Sequence, residues 1–359
     1  MRPTSAIVRL NAIVENFKIV CRLAPGSKNV AVIKANAYGH GAIEVARALH
    51  DEVPAFAVAF FEEAVQLRDA GITKPILLLQ GTLGDEVVAE AAAMDFWLLL
   101  HNQQQIDQVL SAKSTRPIRV WLKVETGMYR LGMNLEEAQS ACEVLVSSNN
   151  IQPDLVLCTH LACADDLASP VTKQQVSKLS SFAAKHKLPL SIANSAAIMA
   201  WPESHADWNR PGYMLYGNSP FASSDRSNEG LIPAMILSSE IIAIRDVGPG
   251  VGVGYGLEWV AQKQSRVGII AIGYGDGYPR HAPGGTPVLV NGARVQLVGR
   301  VSMDMISVDL TDLHAAEIGD SVELWGQNLS VNEVASSAGT IGYELLAGLT
   351  ARLPRVYPK

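Results

Sequence analysis

The feature that most constrains the fold is a regular alternation of short apolar runs with helical segments over the first two thirds of the chain. The apolar, β-rich runs lie at residues 29–35, 55–60, 75–80, 96–101, 118–125, 155–160, 189–195 and 213–217. Segments with helical spacing separate most of them, at 41–49, 62–70, 103–110, 135–146 and 171–186. This pattern predicts a parallel sheet wound by helices. Eight units in about 220 residues favour a closed (β/α)8 TIM-like barrel.

An open, doubly wound sheet is the alternative reading of the same alternation. The dinucleotide fingerprint GxGxxG does not follow the first predicted strand, and the GxxxxGK[ST] and GxSxG patterns are also missing. Since these motifs mark the common nucleotide-binding and hydrolase versions of the open sheet, their absence favours the barrel.

The pattern changes after residue 229. Short alternating strands, separated by Gly and Pro turns, are predicted at 241–245, 266–272, 287–290, 296–298, 307–310 and 321–324. We therefore predict two domains, an α/β barrel at 1–229 and a mostly β domain at 230–359. Residues 218–230 are the predicted linker, and the extended segment 4–8 is placed to add a strand to either domain.

Composition and charge exclude several classes of function. The chain has 29 basic and 35 acidic residues, a net charge of −6, so it has no global basic field for nucleic acid. Its apolar stretches, such as 55–61 and 96–100, are far shorter than the roughly 18 residues that span a bilayer. The first nine residues also interrupt any signal-peptide core. We expect a cytoplasmic protein without nucleic-acid or membrane partners.

The cysteines and histidines carry no metal-binding pattern. Cys21, Cys142, Cys158 and Cys163 form no CxxC pair, and the eight histidines include no HxxxH pair. We expect reduced, inert thiols and no metal site.

Polar residues follow the predicted strands, where a barrel places its chemistry. Lys34 follows the apolar run 30–33. A charged lysine after an apolar strand is costly unless it is paired or has a chemical role. Desolvation would lower its pKa toward that of an amine nucleophile or base. The alternative is a lysine at the rim whose amine reaches solvent. Further polar residues at the predicted rim are Lys123, Arg130, His160, Asn194, Ser195 and Arg210.

A resemblance to a known family rests on several ordered motifs. Residues 31–41 (AVIKANAYGHG) resemble the pyridoxal-phosphate lysine signature of alanine racemases. The other matching segments are 126–132 (TGMYRLG), 209–212 (NRPG), 252–256 (GVGYG), 273–280 (GYGDGYPR), 299–305 (GRVSMDM) and 342–344 (GYE). The resemblance covers essentially the whole chain, and it implies a barrel plus a β domain.

The resemblance implies a two-base reaction. Pyridoxal 5'-phosphate would be held by Lys34 as a Schiff base, and the freed lysine would serve one face of the substrate while Tyr255 serves the other. A relay from Tyr255 through His160 to Arg210 would assist the tyrosine. Facing the pyridine nitrogen, Arg210 cannot donate a proton as a carboxylic acid can, which favours racemisation over transamination.

The resemblance also implies the remaining contacts. The cofactor would be bound, besides Lys34 and Arg210, by Tyr38, Arg130, Ser195, Gly212, Tyr213 and Tyr343. Arg130 and the Met303 N–H would receive the substrate carboxylate. Lys123 is a possible carbamylated lysine, and the narrow entryway would be lined by Asp165, Tyr274 and Arg280. Glu125 and Thr159 stand where Asp and Ser are expected, without loss of a functional group.

The implied activity is interconversion of L-alanine and D-alanine, either supplying D-alanine for peptidoglycan or degrading it. A broader racemase that also accepts serine is the main alternative. A pyridoxal-phosphate carrier would lack the second domain, and a decarboxylase would place a carboxylate where Arg210 stands. The family also implies a homodimer with shared active sites.

Overall fold

The computed structural model describes residues 2–82, 84–114, 116–221 and 230–358. Residues 222–229, which form most of the predicted linker, lie outside the described residues. The domain boundary predicted between residues 229 and 230 falls at their end. The strands are β1 (Ser5–Val8), β2 (Lys28–Asn29), β3 (Ala31–Val32), β4 (Phe56–Val58), β5 (Ile76–Leu78), β6 (Phe96–Leu100), β7 (Val120–Lys123), β8 (Val156–Cys158), β9 (Leu190–Ser191), β10 (Trp208–Asn209), β11 (Met235–Val247), β12 (Gly252–Val253), β13 (Trp259–Val260), β14 (Ser265–Ile270), β15 (Pro287–Val290), β16 (Ala293–Val298), β17 (Ile306–Asp309), β18 (Ser321–Trp325) and β19 (Arg355–Val356).

The helices alternate with the strands of the first domain and are few in the second. They are α1 (Leu10–Leu23), α2 (Lys34–Tyr38), α3 (Ala42–Leu49), α4 (Phe61–Asp69), α5 (Asp85–Ala93), α6 (Gln103–Ser111), α7 (Leu135–Val146), α8 (Val171–His186), α9 (Ser195–Ala200), α10 (Val331–Ser337) and α11 (Gly342–Ala347). Short 3-10 turns lie at Pro202–Ser204, Tyr213–Tyr216, Tyr255–Leu257 and Tyr274–Asp276. No helix in the described part of the chain is both long and apolar enough to cross a membrane.

The predicted barrel is confirmed. Strands β3 to β10 pair in parallel in chain order, and β10 pairs with β2 through Trp208 and Lys28. Because β2 and β3 are two halves of one extended segment, these pairings close the sheet into a ring. The helices predicted at 135–146 and 171–186 have those bounds in the structure.

The prediction of the eighth strand is wrong. Residues 213–217 form a 3-10 turn, in which the Leu215 N–H donates to the Gly212 carbonyl, instead of a strand. The eighth strand is β10, two residues that pair with both β9 and β2. The 213–217 run is apolar because Tyr213 and Tyr216 are buried, so burial alone produced the strand-like pattern. As a consequence Arg210 follows the last strand, at the same rim as the other polar residues.

Aromatic side chains fill one end of the barrel. Trp97, Trp121 and Trp208 lie near the amino ends of their strands and pack together, with ring centroids 5.6–6.4 Å apart. Lys123 and Arg210, by contrast, lie at or just beyond the carboxyl ends of β7 and β10. The open space of the barrel is therefore at the carboxyl ends.

The second domain is a mostly antiparallel sheet in the order β14-β17-β16-β15-β18-β11-β1-β19, and β14 also pairs with β11. The amino-terminal strand β1 pairs antiparallel with β11, with Ala6 opposite Leu237, and parallel with β19. Both ends of the chain thus meet in the second domain. From there, α11 reaches back to the mouth of the barrel.

Candidate active site

A cavity of about 780 Å³ lies at the carboxyl ends of the barrel strands. Most of the side chains predicted for the cofactor and the catalytic step line it together: Lys34, Tyr38, Lys123, Arg130, His160, Ser195, Arg210, Gly212, Tyr213 and Tyr343. Residues of α11 contribute the part of the wall that comes from the second domain. The volume is that of a pocket for a cofactor-sized molecule.

Lys34 is held at the start of a left-handed turn. The residues after it, 35–38, are non-glycine residues with φ between 50 and 53°. Each such residue costs about 1–2 kcal/mol, so the turn must be fixed by its surroundings. Gly39, at φ 80°, ends it, and a Cβ there would meet the Leu346 carbonyl oxygen of α11 at 2.0 Å. The backbone of the second domain therefore packs directly on the lysine turn.

His40 fixes the carbonyl side of this turn. Its Nδ1 lies 3.1 and 2.9 Å from the carbonyl oxygens of Ala37 and Tyr38. Because both partners are acceptors, Nδ1 carries the proton and the ring is the neutral Nδ1–H tautomer. Burial lowers the pKa of His40 to about 4, which agrees with a neutral ring.

The cavity is rich in cationic groups. Burial lowers the pKa of the Lys34 amine, and the charge of Arg130 lowers it further. Burial also lowers the pKa of Lys123, with added repulsion from Arg210 and Arg130. Among the described lining residues Glu344 is the single carboxylate. The site therefore favours anionic groups such as phosphate and carboxylate.

His160 is half-buried beside these cations. Burial, followed by the charges of Arg210 and Lys123, holds the pKa of His160 well below its usual value. The imidazole is therefore neutral, with one nitrogen able to accept a proton.

The guanidinium of Arg210 is buried and fixed by neutral acceptors. Its Nη1 donates to Ser191 Oγ at 2.5 Å, and its Nη2 donates to the carbonyl oxygens of Thr159 and Ile192 at 2.5 and 3.2 Å. Because these partners carry no charge, Arg210 keeps its full positive charge at the cavity wall.

Ser195 is the first residue of α9, after the N-cap Asn194. Its Oγ accepts hydrogen bonds from the backbone N–H groups of Gly212 and Met214, at 3.0 and 3.3 Å. With Oγ accepting both, the hydroxyl proton remains to be donated. A Cβ on Gly212 would lie 2.8 Å from the Tyr38 hydroxyl, so the small residue lets this tyrosine approach.

Two tyrosines join the barrel to the second domain. The ring of Tyr213 stacks on Tyr343 with centroids 3.7 Å apart and planes 10° apart. The Tyr213 hydroxyl donates to Asn332 Oδ1 at 2.6 Å, and Asn332 Nδ2 donates to the Ser219 carbonyl. Burial raises the pKa values of Tyr213 and Tyr343 and that of Tyr38, the last to about 12, so all three hydroxyls remain protonated donors.

Apart from Tyr343, the predicted residues of the second domain lie elsewhere, on its exposed face. Tyr255 is 68 % exposed and Met303 is 51 % exposed, and neither lines the described cavity of this chain. Tyr274 lies beside Met303, because the N–H of the adjoining Gly275 donates to the Met303 carbonyl. Arg280 is exposed as well.

Asp165, the remaining predicted entryway residue, is exposed but close to the cavity. Its charge adds to burial in raising the pKa of Tyr343.

Sequence reasoning missed three residues that hold the site. Glu63 of α4 accepts a hydrogen bond from the Ala35 N–H, His40 binds the lysine turn, and Asn332 binds Tyr213. His40 stands inside the lysine motif, which was a usable signal. Glu63 and Asn332 are ordinary polar residues on short helices, and no sequence pattern marks their partners.

Comparisons with known proteins agree with this architecture. The family model "Alanine racemase, N-terminal domain" matches residues 8–220, and "Alanine racemase, C-terminal domain" matches residues 234–357. The chain is 46 % identical over 356 residues to the alanine racemase of Chromohalobacter salexigens, covering 99 % of this chain and 98 % of that one. It is 47 % identical to the biosynthetic alanine racemase of Pseudomonas aeruginosa, covering 99 % of both.

Solved structures show the same relationship. The crystal structure of biosynthetic alanine racemase from Pseudomonas aeruginosa superimposes with a TM-score of 0.95 at 46 % identity, over all of both chains. Alanine racemase from Bartonella henselae, solved with covalently bound pyridoxal phosphate, superimposes with a TM-score of 0.91 at 29 % identity, also over all of both chains. The chain therefore belongs to the alanine racemase family, and it is an isomerase that interconverts L-alanine and D-alanine.

Proposed function

We propose that this racemase works with pyridoxal phosphate attached to Lys34 Nζ, and that each of its sites is completed by a second copy of the chain. The observation that carries the proposal is the cavity itself, which holds Lys34 at one wall and Ser195 and Arg210 at others. A relative with this fold, from Bartonella henselae, contains the same cofactor in covalent linkage.

The residues present fit the cofactor. Ser195 has a hydroxyl proton to donate at a helix start, and it lies beside Gly212 and Tyr38, as a phosphate site requires. Arg210 presents a buried, fixed cation that would face the pyridine nitrogen. Lys34 has a lowered amine pKa, which favours the unprotonated form that attaches to an aldehyde.

Pyridoxal phosphate, when bound, supplies the electron sink that makes the α-proton of alanine removable. Lys34 Nζ, as the free amine, would hold or return that proton on one face. Burial and the charge of Arg130 lower its pKa, which favours the unprotonated amine that acts as a base. Tyr255 Oη of a second copy of the chain would hold the proton on the opposite face. Neutral His160 would accept a hydrogen bond from that side of the site, next to the fixed charge of Arg210.

Arg210 directs the outcome. A guanidinium does not release a proton at any working pH, so it would not protonate a pyridine nitrogen. Electron withdrawal is then limited, and reprotonation at the α-carbon is favoured over transfer to the cofactor. Limited electron withdrawal by the cofactor therefore suits racemisation.

The exposed face of the second domain supports a homodimer. Tyr255 and Met303 lie there, accessible and outside the described cavity. Placed over the cavity of a partner, this face would supply the second base and the Met303 N–H for the substrate carboxylate, facing Arg130. Tyr274 and Arg280 on the same face would narrow the entrance opposite Asp165. Two identical faces meeting two identical cavities make a closed, symmetric pair.

Lys123 is the proposed carbamylated residue. It is buried next to Arg130 and Arg210, and its lowered pKa favours the free amine that reacts with carbon dioxide. The carbamate would convert a repelling cation into an anion that pairs with Arg130. A supply of D-alanine for peptidoglycan is supported by the relative named biosynthetic. The cytoplasmic location stays a prediction.

The test is reduction of the holoenzyme with borohydride, followed by peptide mapping. We expect the pyridoxal group to be fixed on Lys34, and a Lys34→Ala variant to show no label. A label on Lys123 or on another lysine of the wild-type protein would contradict the assignment.

A further inference from the structure

The left-handed turn that begins after Lys34 needs support on its N–H side as well as on its carbonyl side. Within the turn, the Ala37 N–H donates to the Ile33 carbonyl, and His40 binds the carbonyl oxygens of residues 37 and 38. Ala35 is the first left-handed residue and directly follows the lysine. Whatever holds the Ala35 N–H therefore fixes the direction in which the Lys34 side chain leaves the backbone.

That group is the carboxylate of Glu63, on the neighbouring barrel unit. Its Oε1 accepts from the Ala35 N–H at 2.6 Å, and its Oε2 accepts from the N–H groups of Ala59 and Phe60 at 2.8 and 3.1 Å. One carboxylate thus joins the start of α4 to the residue after Lys34. Hydrogen bonds to an ionised acceptor are stronger than those between neutral groups.

We propose that Glu63 is a positioning residue for Lys34: it pins Ala35 in the left-handed conformation and so aims Lys34 Nζ at the cofactor. The inference rests on the proposed attachment of pyridoxal phosphate to Lys34. Glu63 does not line the described cavity, so it acts through the backbone rather than by touching the substrate. Its negative charge opposes the lowering of the pKa of Lys34 by Arg130.

The informative variant is Glu63→Gln, matched by Glu62→Gln. An amide has one oxygen where the carboxylate has two, so it can accept from Ala35 or from the start of α4, but not from both as before. Glu62 is the preceding residue of the same helix and is exposed, so its amide variant controls for the loss of one charge.

Three quantities are measured on each protein prepared without cofactor and then mixed with pyridoxal phosphate. They are the rate constant for covalent attachment of pyridoxal phosphate to Lys34, the dissociation constant of pyridoxal phosphate, and the rate of hydrogen exchange in the peptide containing residues 34–41. In Glu63→Gln we expect attachment to slow and binding to weaken by about ten- to hundred-fold, since a hydrogen bond to a charged group is lost. Exchange at 34–41 should become faster. Glu62→Gln should match the wild type in all three.

A merely structural role for Glu63 gives a different pattern. The melting temperature and exchange at the start of α4 would change, while the attachment rate stays at the wild-type value, and this result would overturn the proposal. Glu63→Asp is measured in parallel, and it becomes the test variant if Glu63→Gln does not fold. Its carboxylate is one methylene shorter and cannot span from α4 to Ala35, so wild-type attachment and exchange in this variant would also overturn the proposal.

The two proposals fail differently. If the wild-type protein carries its label on another lysine, the assignment of Lys34 is wrong. If the label is on Lys34 in every variant and attaches equally fast, only the role of Glu63 is wrong.

Discussion

Arg210 donates a 2.5 Å hydrogen bond from Nη2 to the carbonyl oxygen of Thr159, the residue that precedes His160. This bond ties the last strand of the barrel to the end of β8 and fixes a buried cation beside a neutral imidazole. The position of Arg210, which we propose faces the pyridine nitrogen, is therefore set by the barrel, and the residue there can be changed by substitution.

Replacing Arg210 with a carboxylic acid should redirect the reaction. In Arg210→Glu the new side chain can share a proton with the pyridine nitrogen, so racemisation should fall at least about tenfold and pyruvate release from alanine should rise. Both are measured by circular dichroism and a coupled pyruvate assay. Arg47→Glu, at an exposed arginine of α3, is the control. An unchanged ratio of racemised alanine to pyruvate in Arg210→Glu would count against the proposed role of Arg210.

Lys123 should react with carbon dioxide. The nitrogen of its free amine bonds to the carbon of carbon dioxide and loses a proton, leaving a carbamate. Since burial lowers the pKa of Lys123, the free amine forms at lower pH than for an exposed lysine, and carbamylation should increase as pH rises. Isotopically labelled bicarbonate should give one carbamate NMR signal that is missing in Lys123→Met. The same signal in both proteins would disprove the assignment.

His40 should make the protein less stable in acid. Its folded pKa is about 4 and its ordinary value is 6.5, so between these values the unfolded chain binds a proton that the folded chain does not. The stabilisation is fully present above pH 6.5 and is lost as pH falls toward 4, about 3 kcal/mol in all.

The measurement is the free energy of unfolding in urea at pH 7 and pH 5. The decrease in the free energy of unfolding from pH 7 to pH 5 should be smaller by about 2 kcal/mol in His40→Gln than in the wild type. His314→Gln, at an exposed histidine, should behave as the wild type. Equal losses in all three proteins would show that His40 is not the group that titrates.

Tyr255→Phe should separate binding from catalysis. The side chain is 68 % exposed, so deleting its hydroxyl should leave stability and cofactor binding unchanged while racemisation falls by about 10² to 10⁴. Tyr129→Phe, at a tyrosine that is 87 % exposed, should keep full activity. Near-normal turnover of both enantiomers by Tyr255→Phe would rule out its role as a base.

The barrel could be predicted from sequence because strands buried on both faces are continuous apolar runs. The same reasoning misplaced the eighth strand. Burial of Tyr213 and Tyr216 imitates a strand, whereas β10 is only two residues long and is preceded by the polar Asp207. Its position follows from closure of the ring, which no local pattern records.

The grouping of the candidate site residues could be predicted where motifs carry them, but not where single contacts do. Lys34, His160 and Arg210 follow strands, and the structure brings them to one cavity. Glu63 and Asn332 are ordinary polar residues whose partners, Ala35 and Tyr213, are distant in the chain. Only the folded chain shows these contacts.

Complementation between two inactive variants asks directly whether Lys34 and Tyr255 act together across two chains. Lys34→Ala and Tyr255→Phe are unfolded together in equal amounts and refolded. Random pairing gives about half mixed dimers, each with one intact and one doubly altered site. We predict activity of about one quarter of the wild type, half of the dimers times half of their sites. A mixture as inactive as its parents would show that each site is built within one chain, and would contradict the proposed sharing of sites between two chains.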